Sequence, residues 1–208
     1  MKLGFKKAAV VLALTGAAAA QAATVNGNLV VNGSFEAPVV NGWTILQNGA
    51  LTGWTAGSPN GVEVRNQTAG LAQDGKQFVE LDTTANSWIS QVINTKIGQE
   101  YTLSFWYSPR EGRGVATDNQ INASINDVVV RTLTGTGLAQ GHQWTNVIYT
   151  FVAGTASTTL KFAAAGASNS FGGSLDNVSL TATPLPGAAL LFGTALAGFF
   201  GFSNRRKV

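Results

Sequence analysis

Short runs in which apolar and polar residues alternate recur through the middle of the chain, separated by clusters of Gly, Asn and Ser, and no segment there repeats with a helical period. Alternation of period two puts successive side chains on opposite faces of a strand. It is clearest in Tyr101-Thr102-Leu103-Ser104-Phe105-Trp106-Tyr107, where Tyr101, Leu103, Phe105 and Tyr107 share one face. Similar runs predict strands at Leu29 to Phe35, Phe78 to Leu81, Ile89 to Ile93, Ile121 to Ile125, Val128 to Leu133, Val147 to Val152, Thr158 to Phe162 and Val178 to Leu180. Turns are expected at Asn32-Gly33, Asn48-Gly49, Asn60-Gly61, Asp74-Gly75 and Gly172-Gly173, with a bulge as the alternative at Asn32-Gly33 because that pair interrupts an apolar run. The pattern predicts an all-β, antiparallel β-sandwich. Two long stretches without alternation, Ala37 to Gln73 and Ser108 to Gln120, read as loops, where binding residues concentrate.

The two ends break the pattern. Lys2, Lys6 and Lys7 precede an apolar segment from Ala8 to Ala19 and a small-residue site, Ala20-Gln21-Ala22, so residues 1–22 read as a secretory signal helix. At the other end, Pro184-Leu185-Pro186 is followed by an apolar run over 187–202 and then by Arg205, Arg206 and Lys207. A run of that length is at the short limit for a transmembrane helix, and the basic cluster behind it is expected to stay cytoplasmic. The chain thus divides into residues 1–22, a sandwich domain over 23–183 and a tail over 184–208.

The tail resembles the PEP-CTERM sorting signal, with Pro184 and Pro186 as its prolines, although Leu185 stands where that signal carries Glu. The resemblance implies an exported protein, anchored in the bacterial membrane at least transiently, processed by an exosortase-like enzyme and sorted to the cell surface or matrix. The domain itself opens with Asn28-Leu29-Val30-Val31-Asn32-Gly33-Ser34-Phe35-Glu36 and closes with Leu175-Asp176-Asn177-Val178-Ser179-Leu180, with Asp74 to Leu81 and Gly98 to Phe105 between them. These segments, in this order, resemble the galactose-binding-like jelly roll shared by many carbohydrate-binding modules. That resemblance implies a structural calcium where the first and last strands meet, held by Glu36 and Asp176 and completed by Asp74 and main-chain carbonyls near Lys76; the alternative is that Glu36 caps a turn and Asp176 bonds backbone amides.

Charge narrows the partners. The full chain has a formal net charge of +3, yet six of its thirteen basic residues lie in the two end segments, leaving seven against ten acidic residues in the domain. No basic face of the kind nucleic acid requires is expected. There is no cysteine, so no disulfide supports an exported fold, and the single His142 excludes a zinc site of the usual kind.

Five tryptophans raise the possibility of sugar stacking, in which an indole covers the apolar face of a pyranose. Trp54 and Trp144 occupy positions that pack inside this fold. Trp106 falls on the strand face opposite Leu103 and is expected on an open sheet face with Asn122 and Ser124, while Trp43 and Trp88 lie in or beside loops. Glu80 and Asp82 have a separation compatible with glycosidase chemistry, but residues two apart on a strand project in parallel and read as solvated. His142 reads as a surface-loop residue without a catalytic partner. The expectation is a noncatalytic protein that associates with extracellular polysaccharide; a structural matrix or adhesion protein and, more remotely, a glycoside hydrolase are the alternatives.

Overall fold

The computed structural model describes residues 27–112 and 115–183; the signal segment and the tail, including Pro184, Pro186, Arg205, Arg206 and Lys207, lie outside the described residues. Among the described residues there are eleven strands and no helix. A six-stranded sheet has the order β1 (Trp43–Leu46), β3 (Val62–Asn66), β4 (Gln77–Glu80), β11 (Ser174–Ala182), β6 (Glu100–Ser108) and β9 (Thr145–Val152). A five-stranded sheet has the order β2 (Thr55–Ala56), β5 (Trp88–Asn94), β10 (Ser157–Ala164), β7 (Ile121–Ile125) and β8 (Val128–Leu133). Every pairing is antiparallel. No described helix is long and apolar enough to cross a membrane.

The core follows from the alternation. Tyr101, Leu103, Phe105 and Tyr107 of β6 are buried with Ile89 and Ile93 of β5, Leu160 and Phe162 of β10, and Ile121 and Ala123 of β7. Phe105 meets Phe162 edge-on at 5.0 Å, and Trp54, buried as expected, stands 5.5 Å from Phe35 and 6.3 Å from Phe162. These rings join the two sheets.

Two departures from the sequence pattern have local causes. Leu29 to Phe35 is not a strand: Asn32 and Phe35 have positive φ, and the segment turns while bonding to β11 through Leu29 N to Leu180 O and Val178 N to Gly33 O. Any side chain at Gly33 would strike the Val178 carbonyl, since a Cβ there would lie 2.0 Å from that oxygen. Conversely, β1, β2 and β3 occupy the stretch expected to be irregular. The Val62-Glu63-Val64-Arg65 alternation in β3 is real, but both its apolar and its charged faces are buried.

Candidate functional site

The outer face of the six-stranded sheet is where buried polarity concentrates. Val62, Val64, Val79 and Leu175 point into the core, so Glu63, Arg65, Phe78, Glu80, Ser174 and Asp176 point the other way. All six are nevertheless buried, because loops fold back over them. Arg65 sets Nη2 2.6 Å from Glu63 Oε1 and Nε 3.1 Å from Glu80 Oε2, while Arg110 donates through Nη1 to both Glu80 oxygens at 2.6 and 2.5 Å. The Gly172 amide donates to Glu80 Oε1 at 2.8 Å, and the Arg110 guanidinium lies 4.9 Å over the Phe171 ring. Burial pushes the Glu80 carboxyl up to about 7, against the opposing pull of Arg65, Arg110 and the Gly172 amide. Burial raises Glu63 too, again against Arg65 and Arg110.

Beside this charge cluster, Phe78 supports an aromatic wall. His142 meets its ring edge-on at 4.6 Å and Trp144 does so at 5.9 Å. The Leu71 carbonyl anchors both, 3.0 Å from His142 Nδ1 and 3.0 Å from Trp144 Nε1. A carbonyl can only accept, so His142 carries its proton on Nδ1, and Nε2 is left to accept from Ser174 Oγ at 3.3 Å. Burial also lowers the His142 pKa, which keeps the ring neutral. Gly70, at φ +117°, permits this approach, because a Cβ there would lie 2.5 Å from the imidazole. Gln67, Leu71, Glu111, Gln140, His142 and Trp144 line the resulting open cleft of about 460 Å³.

Residues 28–181 match the family model described as protein of unknown function (DUF642). The chain belongs to the DUF642 family. No curated protein matches it in sequence. In structure the DUF642 domain is similar to a cyclase from Fischerella sp. TAU in complex with 4-(1H-indol-3-yl)butan-2-one, at 17% identity and a TM-score of 0.54, covering 76% of this chain and 97% of that one. It is also similar to TmCBM61 in complex with β-1,4-galactotriose, at 18% identity and a TM-score of 0.51, covering 76% of this chain and 99% of that one. At such identities the likeness establishes a shared sandwich fold. One of these relatives is an enzyme and the other a carbohydrate-binding module, so the side chains must decide function.

Several residues singled out from the sequence fall elsewhere than expected in the DUF642 fold. Trp106 does lie on an outer face, half-buried, but its neighbours are Asp176 of β11 and Asn146 of β9. Asn122 and Ser124 belong to β7 in the other sheet, on the opposite side of the core from Trp106. Trp43 and Trp88 each begin a strand; Trp43 is 55% exposed opposite Arg65, and Trp88 shares the five-stranded sheet with Asn122 and Ser124. Trp144 is not in the inter-sheet core. It precedes β9, whose inward residues are Val147, Tyr149 and Phe151, and packs on Phe78 from outside.

The carboxylates expected to hold calcium are engaged by amides. Glu36 Oε1 accepts from Lys76 N and Gln77 N, both at 2.7 Å, and Asp74 Oδ2 accepts from Ser34 Oγ at 2.6 Å. Asp176 accepts from Gln73 N and Asp74 N through Oδ2 and from Asn177 N through Oδ1. Burial pushes Asp176 up to about 7, opposed by those three amides. The main-chain carbonyl of Lys76 receives Gln67 N. Among the described residues no group of three or more His, Asp and Glu could hold a metal ion. Donors meet one oxygen of Glu36, one of Asp74 and both of Asp176, so these acids fasten the loops to one another.

Glu80 and Asp82 are buried rather than solvated, at 1% and 0% exposure, and Asp82 accepts the amides of Asn169 and Phe171. His142 is likewise held in the cleft floor rather than on a free loop. Sequence reasoning missed Arg65, Phe78, Leu71 and Arg110.

Proposed function

We propose that this DUF642 protein is an exported, noncatalytic glycan-binding protein that holds an extracellular or surface polysaccharide in the cleft on the outer face of its six-stranded sheet. The observation that carries the reading is Trp144. Its indole is fixed by the Leu71 carbonyl and the Phe78 edge, and it borders a cleft of about 460 Å³ that also presents the side chains of Gln67, Gln140 and Glu111. An immobilised aromatic surface beside amide and carboxylate groups suits the two sides of a pyranose, its apolar C–H face and its hydroxyl rim. Trp106, flanked by Asn146 and Ser104, offers a second ring on the same sheet face.

Binding is favoured over hydrolysis because Glu80, Asp82 and His142 are held within the fold, which leaves Glu111 as the one carboxylate among the described residues that line the cleft. Glu80 is bound by two guanidiniums and an amide, Asp82 by two amides, and His142 Nε2 faces Ser174, which is 1% exposed. A general acid or base must reach a proton on the substrate. Export rests on the basic-then-apolar start of the chain, and surface sorting through an exosortase-like enzyme rests on the Pro184-Leu185-Pro186 tail with its basic end.

The test is affinity electrophoresis of the full-length protein in gels containing neutral polysaccharides, β-1,4-galactan among them. Wild type is expected to be retarded by at least one, and Trp144→Ala to lose about 1–3 kcal/mol of affinity, the range for a ring stacked on a nucleobase. Undiminished binding by a folded Trp144→Ala protein would remove the cleft from the account.

A further inference from the structure

The outer face of the five-stranded sheet has a chemistry opposite to that of the cleft. Ile89, Ile93, Leu160, Phe162, Ile121 and Ala123 point into the core, so the intervening residues face outward. One outward row runs Thr55, Ser90, Lys161, Ser124 across β2, β5, β10 and β7. The adjacent row runs Trp88, Ala163, Asn122, Thr132 across β5, β10, β7 and β8. None of the five strands contains Asp or Glu. Their only charges are Lys161 and Arg131, and Arg131 is drawn to the sandwich edge, 4.9 Å over the Tyr149 ring of the other sheet. Asp127, in the turn between β7 and β8, lies beyond both rows.

Lys161 is a prepared cation. Its ammonium sits 4.9 Å from the centre of the Trp88 ring, and among the described residues no carboxylate pairs with it. The ring attracts the ammonium and limits its rotamers without neutralising it, so less freedom is lost when an anion arrives. Around it the face carries hydroxyl and amide side chains, with Val92 and Val129 exposed beside them. Thr132 Oγ1 donates to Asn122 Oδ1 at 2.8 Å, which turns the Asn122 amide nitrogen outward as a donor.

We propose that this face is a second binding site, separate from the cleft, for an acidic polysaccharide: Lys161 receives a uronate carboxylate, and Ser90 and Asn122 receive ring hydroxyls. Trp88 is a positioning residue for Lys161. A single lysine holds an anionic membrane only weakly, whereas a polymer with a carboxylate on every sugar can re-engage the same cation along its length. With the cleft on the other sheet, the protein would join two glycan chains through opposite faces.

The experiment is isothermal titration of the full-length protein with hexagalacturonate and with the neutral hexasaccharide made by reducing its carboxyls. Wild type is expected to prefer the acidic ligand by about fivefold or more in Kd, and to lose that preference as salt rises. Lys161→Gln should abolish the preference, Lys161→Arg should restore it, and Trp88→Leu should weaken it while leaving the lysine in place. Trp144→Ala should leave acidic binding unchanged, which separates this site from the cleft and from the reading above. The proposal is overturned if hexagalacturonate does not bind, if Lys161→Gln binds it as wild type does, if Trp144→Ala removes it, or if the protein binds phosphatidylserine vesicles in its place.

Discussion

Replacing Glu80 with alanine is expected to cost about 3–5 kcal/mol of stability at a pH above the raised value of about 7 for its carboxyl, where Glu80 is ionised, the usual consequence of removing one partner from a buried ion pair. Glu80 is 1% exposed and stands between Arg65 and Arg110, whose side chains are 7% and 16% exposed. Without it the two guanidiniums keep, among the described residues, only Glu63 as a charged partner, and the Gly172 amide loses its acceptor. Glu80→Gln isolates the charge, since it preserves volume while replacing one oxygen with a donor that faces two cations. Both variants should lower the midpoint of urea unfolding of the full-length protein, with the alanine at least as severe. A change below about 1 kcal/mol, the size of a surface pair, would mean that the cluster is solvated and that the loops carrying Arg110 and Gly172 do not seal it.

Phe78→Ala is expected to cost a similar amount, about 3–5 kcal/mol, the range for a fully buried phenylalanine. Its second effect sets it apart. Phe78 lies outside the inter-sheet core and directly beneath His142 and Trp144, so truncation removes the ring on which both lean. Phe105→Ala, between the sheets against Phe162, should destabilise comparably but leave the cleft intact in the folded molecules. Below the unfolding transition, Phe78→Ala should therefore lose glycan binding while Phe105→Ala keeps it. Equal binding by both would contradict the coupling between Phe78 and the aromatic wall.

The parts of this molecule that were legible in the sequence are those in which one strand face is wet and the other dry. β6 declared itself through Tyr101, Leu103, Phe105 and Tyr107, and the parity that placed Trp106 outside was correct. Parity gives a face, not a neighbour. Asn122 and Ser124 sit on a different sheet because β6 pairs with β11 and β9, and that order is fixed by long-range pairing which no local pattern encodes. The covered face was harder still. In β3 and β4, Glu63, Arg65 and Glu80 look solvated until the loops bearing Arg110 and Gly172 close over them, and burial by distant loops leaves no local period. His142 had no visible partner for the same reason: Leu71, Phe78 and Ser174 meet it only in three dimensions. The motif at Glu36 and Asp176 did locate the junction of the domain's two ends, but its acids bond amides there.

The most direct measurement of the central claim uses the five indole N–H signals in a proton–nitrogen correlation spectrum, assigned by single Trp→Phe substitutions, during titration with the neutral polysaccharide fragment that binds best. The account predicts that the Trp144 signal moves most, because its N–H is held by Leu71 at the cleft wall, that Trp106 follows, and that buried Trp54 stays still. Saturable binding that leaves Trp144 and Trp106 unmoved would place the glycan elsewhere and contradict it.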